Sequence, residues 1–296
     1  MVEGQIIEGR GGLYTVRDGA GSAYVLRAKK KFRRQRMTPL VGDCVLFTPG
    51  EGEEHGWLEE ILPRKSECLR PPVANITLLV VVIAPAPAPD WLLVDKLLLG
   101  AHMQGMHTLL VANKGDLGDE AAQTALRDYE KADTPVLRLS AQAGEGLDSL
   151  RERMQGETVC FAGQSGVGKS TLLNALLGLE LETGAISRIE RGKHTTRHAS
   201  LIEQGGLRVM DTPGFTSLDV MAGQAEELKD YYPEFVPYLG KCRFDGCNHM
   251  EEPGCAVRQA VQEGQIPVAR YENYRALFLE LKDRKPVYRK ERNGRG

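Results

Sequence analysis

One octapeptide limits the architecture more than any other part of this chain. Gly163-Gln164-Ser165-Gly166-Val167-Gly168-Lys169-Ser170 satisfies the phosphate-binding loop pattern at every position. Thr158 to Ala162 before it is an apolar, strand-like run, and Thr171 to Leu177 after it reads as a helix. Strand, glycine-rich turn and helix in that order call for an α/β sheet with the loop at a strand's carboxyl end. The glycines let backbone N–H groups wrap a phosphate, and the helix N-terminus adds a dipole that favours negative charge. Lys169 is expected on the β and γ phosphates and the Ser170 hydroxyl on Mg²⁺, with Thr171 completing the nucleotide contacts.

The surrounding chain repeats the strand–helix alternation of a doubly wound sheet. Ile76 to Ile83 is a continuous β-branched and leucine run, as in a strand covered on both faces. Trp91 to Met103 has helical periodicity, His107 to Ala112 is a second buried strand, and a helix is expected around residues 119 to 131. Val136 to Leu139 and Leu207 to Met210 supply further strands. Three polar segments fall at the ends of these strands. Asn113-Lys114-Gly115-Asp116 follows the second, and a carboxylate held there accepts from guanine N1–H and the exocyclic amine together. Adenine has no such donor pair and would leave a desolvated carboxylate unpaired. That disfavours an ATPase or nucleoside kinase. Lys114 is expected along the base, Asn113 tying this turn to the phosphate loop, and the backbone of Ser140-Ala141 on guanine O6. Asp211-Thr212-Pro213-Gly214 ends the last strand, with Asp211 on Mg²⁺ through water and the Gly214 amide sensing a γ-phosphate. Between the two lies Gly192-Lys193-His194-Thr195-Thr196-Arg197, where a threonine completes the Mg²⁺ shell. Thr196 is assigned, with Thr195 its alternative.

Base-recognition turns therefore precede the phosphate loop, the threonine segment and DxxG. In ordinary small GTPases the phosphate loop comes first. Circular permutation reconciles the orders, since termini that lie close together at a surface permit it.

Both flanks differ from this centre. Residues 1 to 67 hold short alternating segments broken by glycine, the pattern of a small β-barrel. Within it, Arg27 to Arg36 carries seven basic residues and no acidic one, in a chain whose formal net charge is only −2. A second basic stretch closes the chain from Lys282. Two such patches point to a polyanionic partner, and the first is expected as a loop between barrel strands. Beyond residue 220 the chain reads as helical or irregular, with a final helix from about 267 to 282. Cys242, Cys247, His249 and Cys255 offer three thiolates and an imidazole within fourteen residues, which suits one closed tetrahedral Zn²⁺. Met1 to Gly12 is polar rather than a secretory leader, and the apolar run Ile76 to Ala84 is too short to span a bilayer. A cytosolic protein, away from membranes, is expected.

With these motifs in that order, the chain resembles the circularly permuted small ribosomal subunit biogenesis GTPases called RsgA, or YjeQ/YloQ. The resemblance runs essentially end to end, through Val41-Gly42-Asp43, the permuted motifs, the GKHTT segment and the Cys/His cluster. It implies a multidomain α/β protein: an OB-fold RNA-binding barrel (1–67), a permuted P-loop GTPase domain (68–220) and a mostly helical zinc-binding domain (221–296). It also implies binding of the small ribosomal subunit and its rRNA, with GTP hydrolysis to GDP stimulated by that subunit; a monomer is expected. Phe215 follows Gly214 where Ras-like proteins carry a water-orienting glutamine, and an apolar side chain orients no water. His194 is the nearest polar candidate, and the resemblance points the same way. An RNA-binding module holding GTP as a structural ligand is the competing class. Intact Lys169, Ser170 and Asp211 favour the enzyme.

Overall fold

The computed structural model describes the chain except residues 52–53, 70, 119, 133, 179–198, 213–223 and 284–296. It divides into two compact units, Met1–Ala222 and Gly223–Gly296.

The first unit opens with a closed barrel. Its strands are β1 (Val2–Arg10), β2 (Leu13–Asp18), β3 (Ala23–Ala28), β4 (Cys44–Thr48) and β5 (Gly56–Ile61), with a short helix α1 (Lys30–Arg34) between β3 and β4. Neighbours run β1-β2-β3-β5-β4 and β4 returns to β1, so no edge is left open within the ring. Alternation sets the faces: Ile6, Val16, Leu26, Val45, Phe47 and Leu58 point inward and are fully buried. The basic stretch is thus a helix where a loop was expected. Phe32 explains the difference, because it is buried and pins α1 to the core while the cations around it stay exposed.

A two-stranded ribbon, β6 (Glu67–Leu69) and β7 (Pro72–Ala74), leads on to the main sheet. The turn Val41-Gly42-Asp43 is fastened to it. Asp43 is fully buried and takes the Arg64 guanidinium in a fork, Nε to Oδ1 at 2.7 Å and Nη2 to Oδ2 at 2.8 Å. Asn75 donates to Gly42 O at 2.9 Å, and Gln5 donates to the same oxygen.

The main sheet follows as β8 (Leu78–Ile83), α2 (Trp91–Met103), β9 (His107–Ala112), α3 (Glu120–Lys131), β10 (Val136–Arg138), α4 (Leu147–Met154), β11 (Thr158–Ala162), α5 (Lys169–Leu177), β12 (Ser200–Gln204) and β13 (Leu207–Asp211). The order is β10-β9-β8-β11-β13-β12, parallel except for β12. All six residues of β8 are buried, and their alternation assigns them to two cores. Leu79, Val81 and Ile83 pack toward α2 and α3, with Leu97, Leu98 and Leu126. Leu78, Val80 and Val82 pack toward α4 and α5, with Leu150, Leu172 and Leu176. The first of these cores runs without a break into the barrel, through Leu201, Met210 and Val41 to Ile6. The sheets join as well: Glu8 of β1 lies opposite Ser200 of β12, and Arg17 pairs with Glu203.

In the second unit, 3₁₀ turns at Ala225–Tyr231 and Pro233–Tyr238 precede α6 (Ala256–Gln262) and α7 (Val268–Asp283). Tyr232, Phe235 and Tyr274 stack or meet edge to face in its core, centroids 4.8 to 5.3 Å apart. Arg270 and Glu234 form a buried ion pair beside Tyr232.

Candidate functional site

Five parallel strands end on the same edge of the sheet, where crevices of open α/β sheets bind ligands. The phosphate loop leaves β11 there. Gly163 has φ +132°, and a Cβ on it would lie 2.2 Å from Val82 O. At Gly168, φ +95°, a Cβ would meet Asn113 Nδ2 at 2.5 Å. Only glycine fits either place. Val167 is fully buried and anchors the loop, and α5 begins at Lys169. The Lys169 ammonium lies 2.7 Å from both Gly163 O and Gln164 O, and burial pushes its pKa down. Ser165 and Gly166 form the exposed tip, while Ser170 and Thr171 are half-buried on the first turn of the helix.

Asn113, at the end of β9, joins the two halves of the site. Its Nδ2 donates to Val167 O at 2.9 Å, and its Oδ1 accepts from Ala141 N at 3.0 Å. The Ala141 amide, expected on the base, is therefore engaged with Asn113. Lys114 adopts φ +60° and lays its chain across to Ala86 O (2.8 Å) and Gly166 O (3.0 Å). Gly115 donates to Leu139 O. Ser140, buried at the end of β10, donates through Oγ to Asp116 Oδ1 at 2.7 Å. One carboxylate oxygen is thereby held, and its orientation fixed.

Asp211 ends β13, the parallel neighbour of β11, one residue past the Cys160–Met210 pair. It is buried, and burial pushes its carboxyl up to about 7. Among the described residues its Oδ1 has no hydrogen-bond partner. A buried acceptor without a donor beside a phosphate loop fits a cation, so Mg²⁺ suits this place. Gly214, His194, Thr195, Thr196 and Phe215 lie outside the described residues.

Two contacts had not been anticipated. Gln164 Oε1 accepts from Asp90 N at 2.8 Å, and Asp90 itself caps α2 through Leu93 N. The Ala86 carbonyl receives Lys114. Pro85, Pro87 and Pro89 fix φ at three positions of this segment.

The metal centre forms within the second unit. Donor atoms of Cys242, Cys247, His249 and Cys255 all lie within 4.8 Å of one another. His249 Nδ1 is 3.5 Å from Cys242 Sγ and 3.4 Å from Cys255 Sγ. Ala256 N donates to the Cys242 sulfur at 3.3 Å and Arg258 N to the Cys255 sulfur at 3.4 Å. The Glu252 carboxylate accepts from three successive-loop amides, Asn248, Met250 and Glu251, and steadies the turn that carries His249. Three sulfurs and one nitrogen at this spacing fit a tetrahedral Zn²⁺ with no open position.

Comparison with known proteins finds relatives along nearly the whole chain. The profile described as RsgA GTPase matches residues 61–221, and that of the RsgA N-terminal domain matches residues 3–58. A small ribosomal subunit biogenesis GTPase RsgA of Ruminiclostridium cellulolyticum is 43% identical over 289 residues, 96% of this chain and 95% of the relative. The RsgA of Geobacillus thermodenitrificans is 43% identical over 97% of this chain and 100% of its own length. Among solved structures, YjeQ from Thermotoga maritima superposes with TM-score 0.81 at 35% identity, covering 96% of this chain and 99% of that one. YloQ, a circularly permuted GTPase, gives TM-score 0.77 at 36% identity, covering 97% of each chain.

Proposed function

This chain belongs to the RsgA family of circularly permuted GTPases, and on that premise we propose how its residues divide the work of hydrolysing GTP during small-subunit maturation. The family's reaction is the conversion of GTP and water to GDP and phosphate. What carries the assignment is the arrival of Asn113, Asp116, Lys169 and Asp211, from three separate stretches of chain, at one edge of a parallel sheet.

Asp116, oriented by Ser140, reads the Watson–Crick edge of guanine, while Lys114, Gly115 and Ala141 shape the slot around the base. Backbone N–H groups from Gly163 to Ser170 and the start of α5, with Thr171, receive the phosphates. Lys169 exchanges its two loop carbonyls for phosphate oxygens. Ser170, Asp211 and Thr196, with Thr195 the alternative, hold Mg²⁺, which neutralises developing charge on the phosphate oxygens when bound. The Gly214 amide senses the γ-phosphate. His194 orients the attacking water, a task Phe215 cannot perform. His194→Ala is expected to lower subunit-stimulated turnover by about 100-fold or more, with GTP affinity retained. Unchanged stimulated turnover would remove His194 from this role.

Residues 1–67 bind rRNA, residues 68–220 carry the nucleotide, and residues 221–296 form a domain braced by one structural Zn²⁺ on Cys242, Cys247, His249 and Cys255. The protein acts on the small subunit in the cytoplasm as a monomer. None of the described helices is long and apolar enough to cross a membrane. The deciding measurement is GTP hydrolysis with isolated small subunits, with large subunits and with neither. Acceleration by the small subunit alone is expected, and equal rates in all three would sink the assignment.

A further inference from the structure

We propose that the outer face of the barrel around Trp57 is a stacking surface for unpaired nucleotides of an RNA strand, with helix α1 gripping that strand's phosphates. The proposal rests on the chain being an RNA-binding GTPase and specifies which RNA conformation this face takes.

Trp57, the second residue of β5, is 45% exposed between the buried Gly56 and Leu58, so the barrel's own alternation turns it outward. It has no place in the apolar cores. Its in-register neighbour on β3 is Arg27, and two residues back on the same face Val25 is 43% exposed. Leu13 of β2 lies opposite Arg27, and Thr48 of β4 opposite Trp57. An indole, a guanidinium and two aliphatic side chains thus share one patch, a surface that stacks a base without selecting its identity.

Charge marks out the occupant. Arg27 opens the basic stretch, which continues through α1 with Lys30, Lys31, Arg33 and Arg34 exposed and Arg36 just beyond. Glu59, two residues further along β5, is already paired with Lys29 and bonded to Thr48. The burial of Phe32 holds α1 in place, so these cations are carried on an anchored helix. A duplex offers phosphates to such a helix but hides its base faces. An unpaired strand offers both, and an exposed indole beside these cations is matched only by the second.

The test uses the full-length chain with Trp91→Phe, which leaves Trp57 as the one indole. It is titrated with a single-stranded oligouridylate of about 12 nucleotides, long enough for one barrel, with an RNA duplex of equal length, and with phosphatidylserine vesicles. Quenching of Trp57 by the single strand and not by the duplex is expected. Trp57→Ala is expected to weaken single-strand binding on the order of 10-fold, with Trp57→Phe recovering much of it. Changing Lys30, Lys31, Arg33 and Arg34 together to Ala should weaken both RNAs and flatten the salt dependence by about 0.7 log units per decade of salt for each cation lost from the single-strand complex. Nucleotide affinity serves as the folding control. Equal duplex and single-strand affinity without quenching, an unaffected Trp57→Ala, or quenching by vesicles alone would each overturn the proposal. If small-subunit stimulation of GTP hydrolysis survives such a result, the stacking surface fails and the ribosomal function stands. If stimulation is absent too, both fail.

Discussion

Asp116→Asn is expected to lower affinity for GTP by about 10²- to 10⁴-fold and to create affinity for xanthosine triphosphate. The estimate follows from two charge-assisted hydrogen bonds to guanine, each contributing about 1.5–3 kcal/mol. Asn keeps an acceptor for the Ser140 hydroxyl, which lies 2.7 Å from Asp116 Oδ1. Its amide nitrogen then faces the base as a donor, where xanthine presents a C2 carbonyl in place of guanine's amine. The slot walls are untouched, since Lys114 is secured to Ala86 and Gly166 and Asn113 to Val167. The exchange should appear in competition between the two triphosphates for a fluorescent nucleotide. Wild-type GTP affinity in Asp116→Asn would mean that the base is read elsewhere.

Metal removal is expected to have a larger effect still, on the second unit. Its core is small: aromatic residues around Tyr232 and Tyr274, aliphatic side chains such as Leu228, Val257 and Leu277, and one buried ion pair. Its four donors come from a stretch with little regular structure, Cys242 to Cys255. Structural Zn²⁺ contributes about 10–16 kcal/mol in small domains, as much as a whole domain's usual stability. Chelation, or Cys247→Ser, should therefore abolish near-ultraviolet ellipticity from the tyrosines of this unit and open it to protease. Burial pushes the Cys247 thiol up when no ion is bound. Nucleotide affinity of the first unit should be retained. A protein that contains no zinc when purified and resists both treatments would exclude the metal centre.

Local chemistry was legible in the sequence, and distant pairing was not. The phosphate loop, the Asn113–Asp116 turn and the cysteine spacing each act within a few residues, so their chemistry is written in consecutive letters. The runs of β8, β9, β11 and β13 were equally plain, because strands buried on both faces have a nearly continuous apolar signature, whereas α4 and the antiparallel β12 were not expected. The basic stretch from Arg27 to Arg36 was misread as a loop because its charge hid the single apolar anchor, Phe32. Trp57 drew no notice, although the flanking Gly56 and Leu58 mark the inward face and leave it outward. The Arg64–Asp43 fork, the Gln164–Asp90 contact and the Glu8–Ser200 pairing join segments from 21 to nearly two hundred positions apart. No periodicity in either partner announces them, since alternation tells which face of a strand is buried and not which remote strand it meets. His194, Thr195 and Thr196 rest on motif alone and lie outside the described residues.

The pairing of β1 with β12 has a consequence for how this protein can be divided. In sequence the barrel looks like a cassette that ends near residue 67, yet its core and its outermost strand are shared with the sheet. A GTPase core begun after the barrel would leave β12 as a bare edge, offering unpaired N–H and C=O groups to a neighbour. The same cut would uncover Leu201 and Met210, both buried against barrel residues. Such a fragment should self-associate in light scattering while the intact chain does not. Transplanting the nucleotide machinery of this chain into another host would mean taking its barrel along.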